Sequence, residues 1–106
     1  MITIDEFSKI ELRVGTVIEA EEVEGSEKLI KQIVDFGEEG KRQILSGIKK
    51  WYKPGQLIGK QFIYVFNLEP RMMMGLESAG MLLATDTDKP YPIKPSSKVP
   101  AGTKLR

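Results

Sequence analysis

The chain of 106 residues contains no cysteine and no histidine. Without cysteine there can be no disulfide framework, and this composition is typical of the reducing cytoplasm. The same two absences exclude the usual zinc sites, thiol nucleophiles and Ser–His or Cys–His pairs. A carboxylate or lysine active site is still allowed, but no paired-carboxylate motif indicates one. We therefore expect a cytoplasmic protein that is not an enzyme and has no metal or cofactor.

Long apolar runs are also missing. The longest are only a few residues, whereas a helix that crosses a bilayer needs roughly 20. Met1 is not followed by a basic stretch and an apolar run, so we predict neither a signal peptide nor a membrane segment. The composition, 41% hydrophobic and 29% charged, is ordinary for a globular protein. We expect one domain over residues 1–106, with a C-terminal extension at about 86–106.

Charge is unevenly distributed, although the net charge is only +1. Residues 1–40 hold 11 acidic and 4 basic side chains, a difference of −7, whereas residues 41–106 hold 4 acidic and 12 basic ones, a difference of +8. If the fold keeps the two halves on separate faces, one face attracts phosphate. If the halves interleave, the asymmetry cancels, and the sequence leaves both possibilities open.

Alternation of apolar and polar residues predicts mainly β-structure. Thr3 and Glu6 form a capping box, which predicts a short helix at the start of the chain. Five segments then have the composition of strands: 10–23, 29–37, 42–48, 60–67 and 80–85. Residues 86–106 carry four of the six prolines and can add only short or edge strands.

The order of these segments favours one architecture. Pro54, Gly55 and Gly59 interrupt the connector between the third and fourth strands, and a single helical turn is predicted at 48–52. This order is that of an OB-fold, an all-β, five-stranded Greek-key barrel with a short helix between strands 3 and 4. Strand order alone does not distinguish it from an SH3-like barrel.

Three separated stretches carry a more specific signal, and they occur in the same order in a known family: DEFSKIELRVGTVIEAEEVEGSEKLIKQIVDFG, RQILSGIKKWYKPGQLIGKQFIYVFNLEPR and GLESAGMLLA. They resemble the tRNA-binding domain family. Its members are OB-fold modules at the C-terminus of many methionyl-tRNA synthetases and small free-standing proteins. The resemblance runs from about Asp5 to Leu105.

This resemblance implies a homodimer that binds tRNA by shape and backbone, without chemistry of its own. Such a module assists methionyl-tRNA synthetase in cis or in trans, so the catalytic part of that enzyme is a second implied partner. The proline-containing tail resembles the C-terminal extension that contributes to dimerisation in the family. Other small dimers of the family resemble export-type chaperones, which makes a peptide-binding chaperone the alternative interpretation.

The resemblance also implies where RNA is bound. The Ser-x-Gly-Met and Asn-Leu-x-Pro units lie near the RNA-binding surface of the family. With the neighbouring cations, the predicted RNA-binding residues are Lys28, Arg42, Ser46, Lys49, Lys50, Lys60, Asn67, Arg71, Ser78 and Met81. Glu69 and Met72 stand where relatives commonly have lysine, which predicts a weaker local attraction for phosphate.

Several of these residues have structural alternatives. Small polar side chains such as Asn67 and Ser78 often bond backbone groups near strand ends. Three successive methionines, 72–74, cannot all face the core of a strand, so some fill gaps or face a partner. Trp51 and Tyr52 lie beside lysines, and the sequence does not decide whether they contact RNA or close the end of the barrel.

Overall fold

The computed structural model describes all 106 residues and contains two antiparallel sheets. The strands are β1 (Leu12–Glu22), β2 (Ile30–Asp35), β3 (Lys41–Ser46), β4 (Gln61–Val65), β5 (Arg71–Met73), β6 (Leu76–Ser78) and β7 (Met81–Leu82). The larger sheet has the order β3-β2-β1-β4-β7, and β5 and β6 form a separate hairpin. One short helix, α1 (Ile4–Phe7), begins at the predicted Thr3–Glu6 capping box. No helix has the length and hydropathy to cross a membrane.

The curvature of the sheet depends on β1, which pairs with two strands along its length. Its first part, Leu12–Thr16, lies against β4, and the part from Thr16 to Glu22 lies against β2. A register shift between Val17 and Glu19 bends the strand there. Gly15 sits just before this bend, and a Cβ at that position would lie 2.3 Å from Val34 Cγ1. The strand can therefore curl closely around the core.

Aromatic side chains fill the interior of the barrel. Phe62, Tyr64 and Phe66, which share one face of their segment, all belong to the main core cluster. Phe36 packs edge-on against Tyr64, with ring centroids 5.5 Å apart, and against Phe66 at 4.9 Å. Gln32 supplies the polar partner for the buried phenol, because Tyr64 Oη donates to Gln32 Oε1 at 2.8 Å.

The connector between β3 and β4 contains the predicted helical turn. The amide N–H groups of Trp51 and Tyr52 both donate to Ile48 O, and a 3₁₀ helix follows at Pro54–Gln56. Five strands in a nearly closed barrel, with this short helix between β3 and β4, confirm the OB-fold prediction.

The tail closes the wall of the barrel. Ile93 lies between β4 and Leu83, because its carbonyl accepts from Ile63 N and its N–H donates to Leu83 O. Further on, Gly102 N donates to Val14 O and Leu105 N to Leu12 O, so the end of the chain pairs with β1. The tail forms only isolated β-bridges and no continuous strand, as its prolines predict.

Candidate nucleic-acid interface

A groove of about 650 Å³ lies where β3 passes the end of β4, and we call it the Arg42 groove. Its floor is Arg42 and Phe66, and its wall is the segment 67–70, with Glu11 and Ala79 at the edges. Three predicted features, Arg42, Asn67 and the Ser78–Met81 unit, therefore come together on one side of the barrel.

The guanidinium of Arg42 already contacts other groups of the protein. Its guanidinium lies 3.6 Å from the centroid of the Phe66 ring, and Nη1 donates a short hydrogen bond to Phe66 O. The groove contains two carboxylates, Glu11 and Glu69, and Glu11 Oε1 is 2.6 Å from Arg13 Nε. Because Arg13 neutralises Glu11, Arg42 shares the groove with one unpaired carboxylate, Glu69, and the groove is a weak attractor for phosphate.

Asn67 ties the end of β4 to the segment before β1. Its Oδ1 accepts from Glu11 N at 2.8 Å, and its Nδ2 donates to Lys9 O at 2.7 Å. Both ends of the amide are therefore used by backbone groups, although the residue is exposed. In this conformation the amide holds the N-terminal segment, and one of its two N–H donors is occupied.

The Ser-x-Gly-Met unit forms the seam at which the barrel closes on β3. Ser78 is 4% exposed, and its hydroxyl accepts from Leu45 N at 3.0 Å. Gly80 has a φ of +137°, and a Cβ there would lie 3.1 Å from Val65 O, so the close approach favours glycine. Met81 alone turns outward, with 44% of its surface exposed.

Ser46 is the end of a buried polar chain. Gln32 Nε2 donates to Ser46 Oγ at 2.8 Å, and Gln32 Oε1 accepts from Tyr64. Burial raises the pKa of the Tyr64 phenol well above its ordinary value, so the donor is a neutral hydroxyl. Ser46 is 8% exposed, so its hydroxyl is out of reach of a ligand on the surface.

Lys28, Lys49 and Lys50 form a basic group beside the 24–29 loop. Lys49 Nζ donates to Ser26 O at 2.6 Å, and Lys49 N donates to Lys28 O at 3.1 Å. Lys28 and Lys50 are exposed, and neither makes an ion pair. These two ammonium groups therefore remain available to a phosphate.

The hairpin β5–β6 lies between the predicted segments 60–67 and 80–85 and was not among the five predicted strands. Its strands are three residues long, too short to show a period. Met73 packs against the small core cluster of Val23, Leu29 and Leu45. Met72 and Met74 are 69% and 58% exposed. Arg71 is also exposed, so the hairpin presents a cation and two thioethers to solvent.

Lys60 lies away from these groups, next to the tail. It shares a groove with Lys94 and Lys98, which were not among the predicted residues. The signal in the sequence was local: two lysines flank Pro95-Ser96-Ser97 within five positions.

Comparison with known proteins gives the family of the chain. The family model tRNA_bind, described as "Putative tRNA binding domain", matches residues 12–104. The chain belongs to this tRNA-binding domain family. The predicted family is thereby confirmed.

The relatives of this tRNA-binding domain include larger enzymes. The chain is 51% identical to a methionine–tRNA ligase of Methanothrix thermoacetophila over 107 aligned residues. The alignment covers 100% of this chain and 16% of the relative. The chain therefore spans about a sixth of the length of that enzyme.

Solved structures of similar size include a protein related to methionyl-tRNA synthetase from Pyrococcus horikoshii. It is 42% identical, with a TM-score of 0.93 over 100% of this chain and 98% of the other. The chaperone CsaA of Bacillus anthracis is 33% identical, with a TM-score of 0.91 over 100% and 99%.

Proposed function

We propose that this domain is a non-catalytic module that binds tRNA by shape and backbone and assists methionyl-tRNA synthetase in cis or in trans, in the cytoplasm. The match to the tRNA-binding family over residues 12–104 is the observation that carries the proposal. The similarity to a segment of a methionine–tRNA ligase supports the synthetase as the enzyme that is served.

Free cations are the groups that would hold the RNA. Lys28, Lys50 and Arg71 are exposed and unpaired, so each can neutralise a phosphate and release counterions without breaking an internal bond. Met81 and Met72 add exposed, adaptable apolar surface for a ribose or base. A rigid barrel that presents such groups reads the backbone of a folded RNA and raises its concentration near a tethered active site.

We also propose that the domain is a homodimer in which the N-terminal segment adds to the interface predicted at the tail. None of the residues of α1 is buried, and Ile4 and Phe7 are 77% and 40% exposed. Ile2 and Ile10 extend this apolar strip with 64% and 44% exposure. A second copy would cover these side chains across a two-fold axis.

Light scattering tests the dimer with I4E/F7E, which we expect to be a folded monomer. The matched control, I18E/I58E, changes the same charge at two exposed isoleucines elsewhere and should remain dimeric. A dimeric I4E/F7E protein would remove the N-terminal segment from the interface.

A titration of unfractionated tRNA at two salt concentrations tests the RNA proposal. We expect binding that weakens steeply with salt, and a K28E/K50E variant that binds at least about tenfold more weakly. K41E/K104E is the control, because it makes the same charge change at two exposed lysines outside this basic group. Equal loss in both variants, or equal affinity for a duplex DNA of similar length, would contradict recognition by this surface.

The second candidate function is a peptide-binding chaperone. The likeness to CsaA along the whole chain favours it, and the exposed methionines of the hairpin would suit apolar peptide segments. This reading predicts salt-tolerant capture of an unfolded polypeptide, little affinity for tRNA, and loss of capture in M72E/M74E. Steep salt dependence with tRNA favours the first function instead.

A further inference from the structure

The segment Lys94–Lys98, which we call the lysine–serine loop, borders a polar groove of about 320 Å³. Three lysines, Lys60, Lys94 and Lys98, line it with Ser96 and Ser97, and no carboxylate does. None of the three lysines makes an ion pair. Neither serine hydroxyl makes a hydrogen bond inside the protein. All five side chains therefore keep their donors free beside one cavity.

The loop is held at both ends. On one side, Ile93 is bonded to β4 and to Leu83. On the other side, the amide of Gln61 clamps Val99: Nε2 donates to Val99 O at 2.6 Å, and Oε1 accepts from Val99 N at 3.1 Å. The five residues between these anchors are fixed relative to the barrel, so little ordering is needed when a ligand binds.

A second groove, of about 550 Å³, meets the first at Lys60 and Lys94. Aromatic rings line it: Tyr52, Phe62 and Tyr91, the last 53% exposed. No carboxylate lines this groove either.

The backbone that carries the exposed ring of Tyr91 is held in place by hydrogen bonds. Thr85 bonds both backbone groups of Tyr91, through its N–H and its hydroxyl. Tyr52 Oη donates to the preceding Pro90 O at 2.7 Å. Lys89 Nζ lies 5.3 Å from the centroid of Tyr52 and 5.4 Å from that of Tyr91, which adds positive charge beside the rings.

We infer that these joined grooves bind an unpaired nucleotide of a single-stranded RNA segment. A backbone phosphate occupies the lysine–serine loop, and the adjacent base stacks on Tyr91. Phosphate takes hydrogen bonds from ammonium and hydroxyl groups, and exposed aromatic rings stack on any base. A groove lined by lysines and serines next to an exposed aromatic ring matches these two parts of a nucleotide. The inference takes the class of ligand, RNA, from the proposed function and adds a second site for its unpaired part.

The test measures binding of a fluorescein-labelled hexaadenylate and of unfractionated tRNA by anisotropy at several salt concentrations. For K94E/K98E we expect hexamer affinity at least about tenfold lower and a salt slope shallower by about 0.7, from one lost single-strand phosphate contact. K41E/K104E, with the same change in charge, should lose far less. Y91A should weaken the hexamer about fivefold or more, whereas Y91F keeps the ring and the affinity.

The outcomes separate this inference from the proposed function. Equal hexamer affinity in K94E/K98E and K41E/K104E would overturn the inference, as would a wild-type domain that binds tRNA but not the hexamer; tRNA binding would stand in both cases. Hexamer binding that depends on Lys94, Lys98 and Tyr91, without affinity for tRNA, would support the single-strand site and overturn the tRNA proposal. Circular dichroism melting shows whether each variant is folded.

Discussion

The Arg42 groove and the lysine–serine loop contain similar polar residues but use them in opposite ways. In and beside the groove, Arg42, Asn67 and Ser78 form hydrogen bonds with the backbone of distant segments. In the loop, Lys94, Lys98 and the two serines make no internal bonds. The same chemical types thus build the barrel in one place and face solvent in the other.

This difference teaches which residues can carry binding energy. A donor that is already bonded must break that bond to reach a ligand, and where the group left unsatisfied is buried this costs about 1–3 kcal/mol. A free surface donor loses only its hydration. We therefore expect changes in the first region to alter mainly stability, and changes in the second to alter mainly affinity.

The largest expected difference between the two regions is the loss of stability in Ser78→Ala compared with Ser97→Ala. Without the Ser78 hydroxyl, Leu45 N–H is left buried without an acceptor, so we expect the free energy of unfolding to fall by about 2 kcal/mol. The same deletion at exposed Ser97 should change stability by less than about 0.5 kcal/mol. Urea unfolding measures both. Weaker tRNA binding by a fully stable Ser78→Ala protein would instead assign the hydroxyl to RNA.

The next largest expected effect is a pH dependence of stability, and it comes from the buried hydrogen-bonded chain of Tyr64, Gln32 and Ser46. The folded state holds Tyr64 neutral because burial raises its pKa, whereas the unfolded phenol ionises near pH ~10. The unfolded state then binds fewer protons, so stability is unchanged below that pH and falls above it by about 1.4 kcal/mol per pH unit.

Tyr64→Phe isolates this contribution, since it removes the buried phenol and leaves the other side chains unchanged. We expect a shallower loss of stability for the variant in urea titrations between pH 9 and pH 11, values chosen to span about one unit on either side of the ordinary tyrosine pKa. Identical slopes would mean that the phenol ionises without unfolding the barrel.

The sequence was sufficient for the elements with a clear period. The segments predicted at 29–37 and 42–48 contain β2 (Ile30–Asp35) and most of β3. In β2, apolar alternation over six residues leaves little choice of face. The aromatic face of β4 was recognisable for the same reason. The barrel itself followed from strand order together with the family resemblance.

The hydrogen-bond partners of individual side chains could not be predicted in this way. Asn67 bonds residues 56 and 58 positions away, and Ser78 bonds one 33 positions away. Such partners are set by the closure of the barrel, and no local pattern contains them. The hairpin was missed because three-residue strands show no period, and the lysine–serine loop because a proline-rich tail indicates only irregular structure.

Gln61→Ala connects the two regions, because this residue lies on β4 and holds the loop at Val99. We expect about 1 kcal/mol less stability and, since the loop is no longer fixed, about threefold weaker binding of the hexamer. Gln43→Ala is the matched control, since its Nε2 donates to Glu77 O on the hairpin side. It should lose similar stability but no hexamer affinity. Equal affinity of both variants would make the clamp irrelevant to binding.

The smallest expected change in stability is a gain, and it comes from a substitution at the tip of the hairpin. Met74 has a φ of +53° and Gly75 one of +76°, the pair of left-handed residues that a two-residue hairpin turn requires. Asparagine tolerates this conformation better than methionine, so Met74→Asn should raise the free energy of unfolding by about 0.5 kcal/mol.

A disfavoured side chain that is also 58% exposed points to a use outside the fold. We therefore expect the stabilised variant to bind tRNA about threefold more weakly, because the thioether no longer packs against the RNA. Ile18→Asn, at an exposed apolar residue of β1, controls for the loss of an exposed apolar side chain as such. A variant that gains stability with undiminished affinity would show that the strained methionine serves neither the turn nor the RNA, and the hairpin would then belong with the groups that only build the barrel.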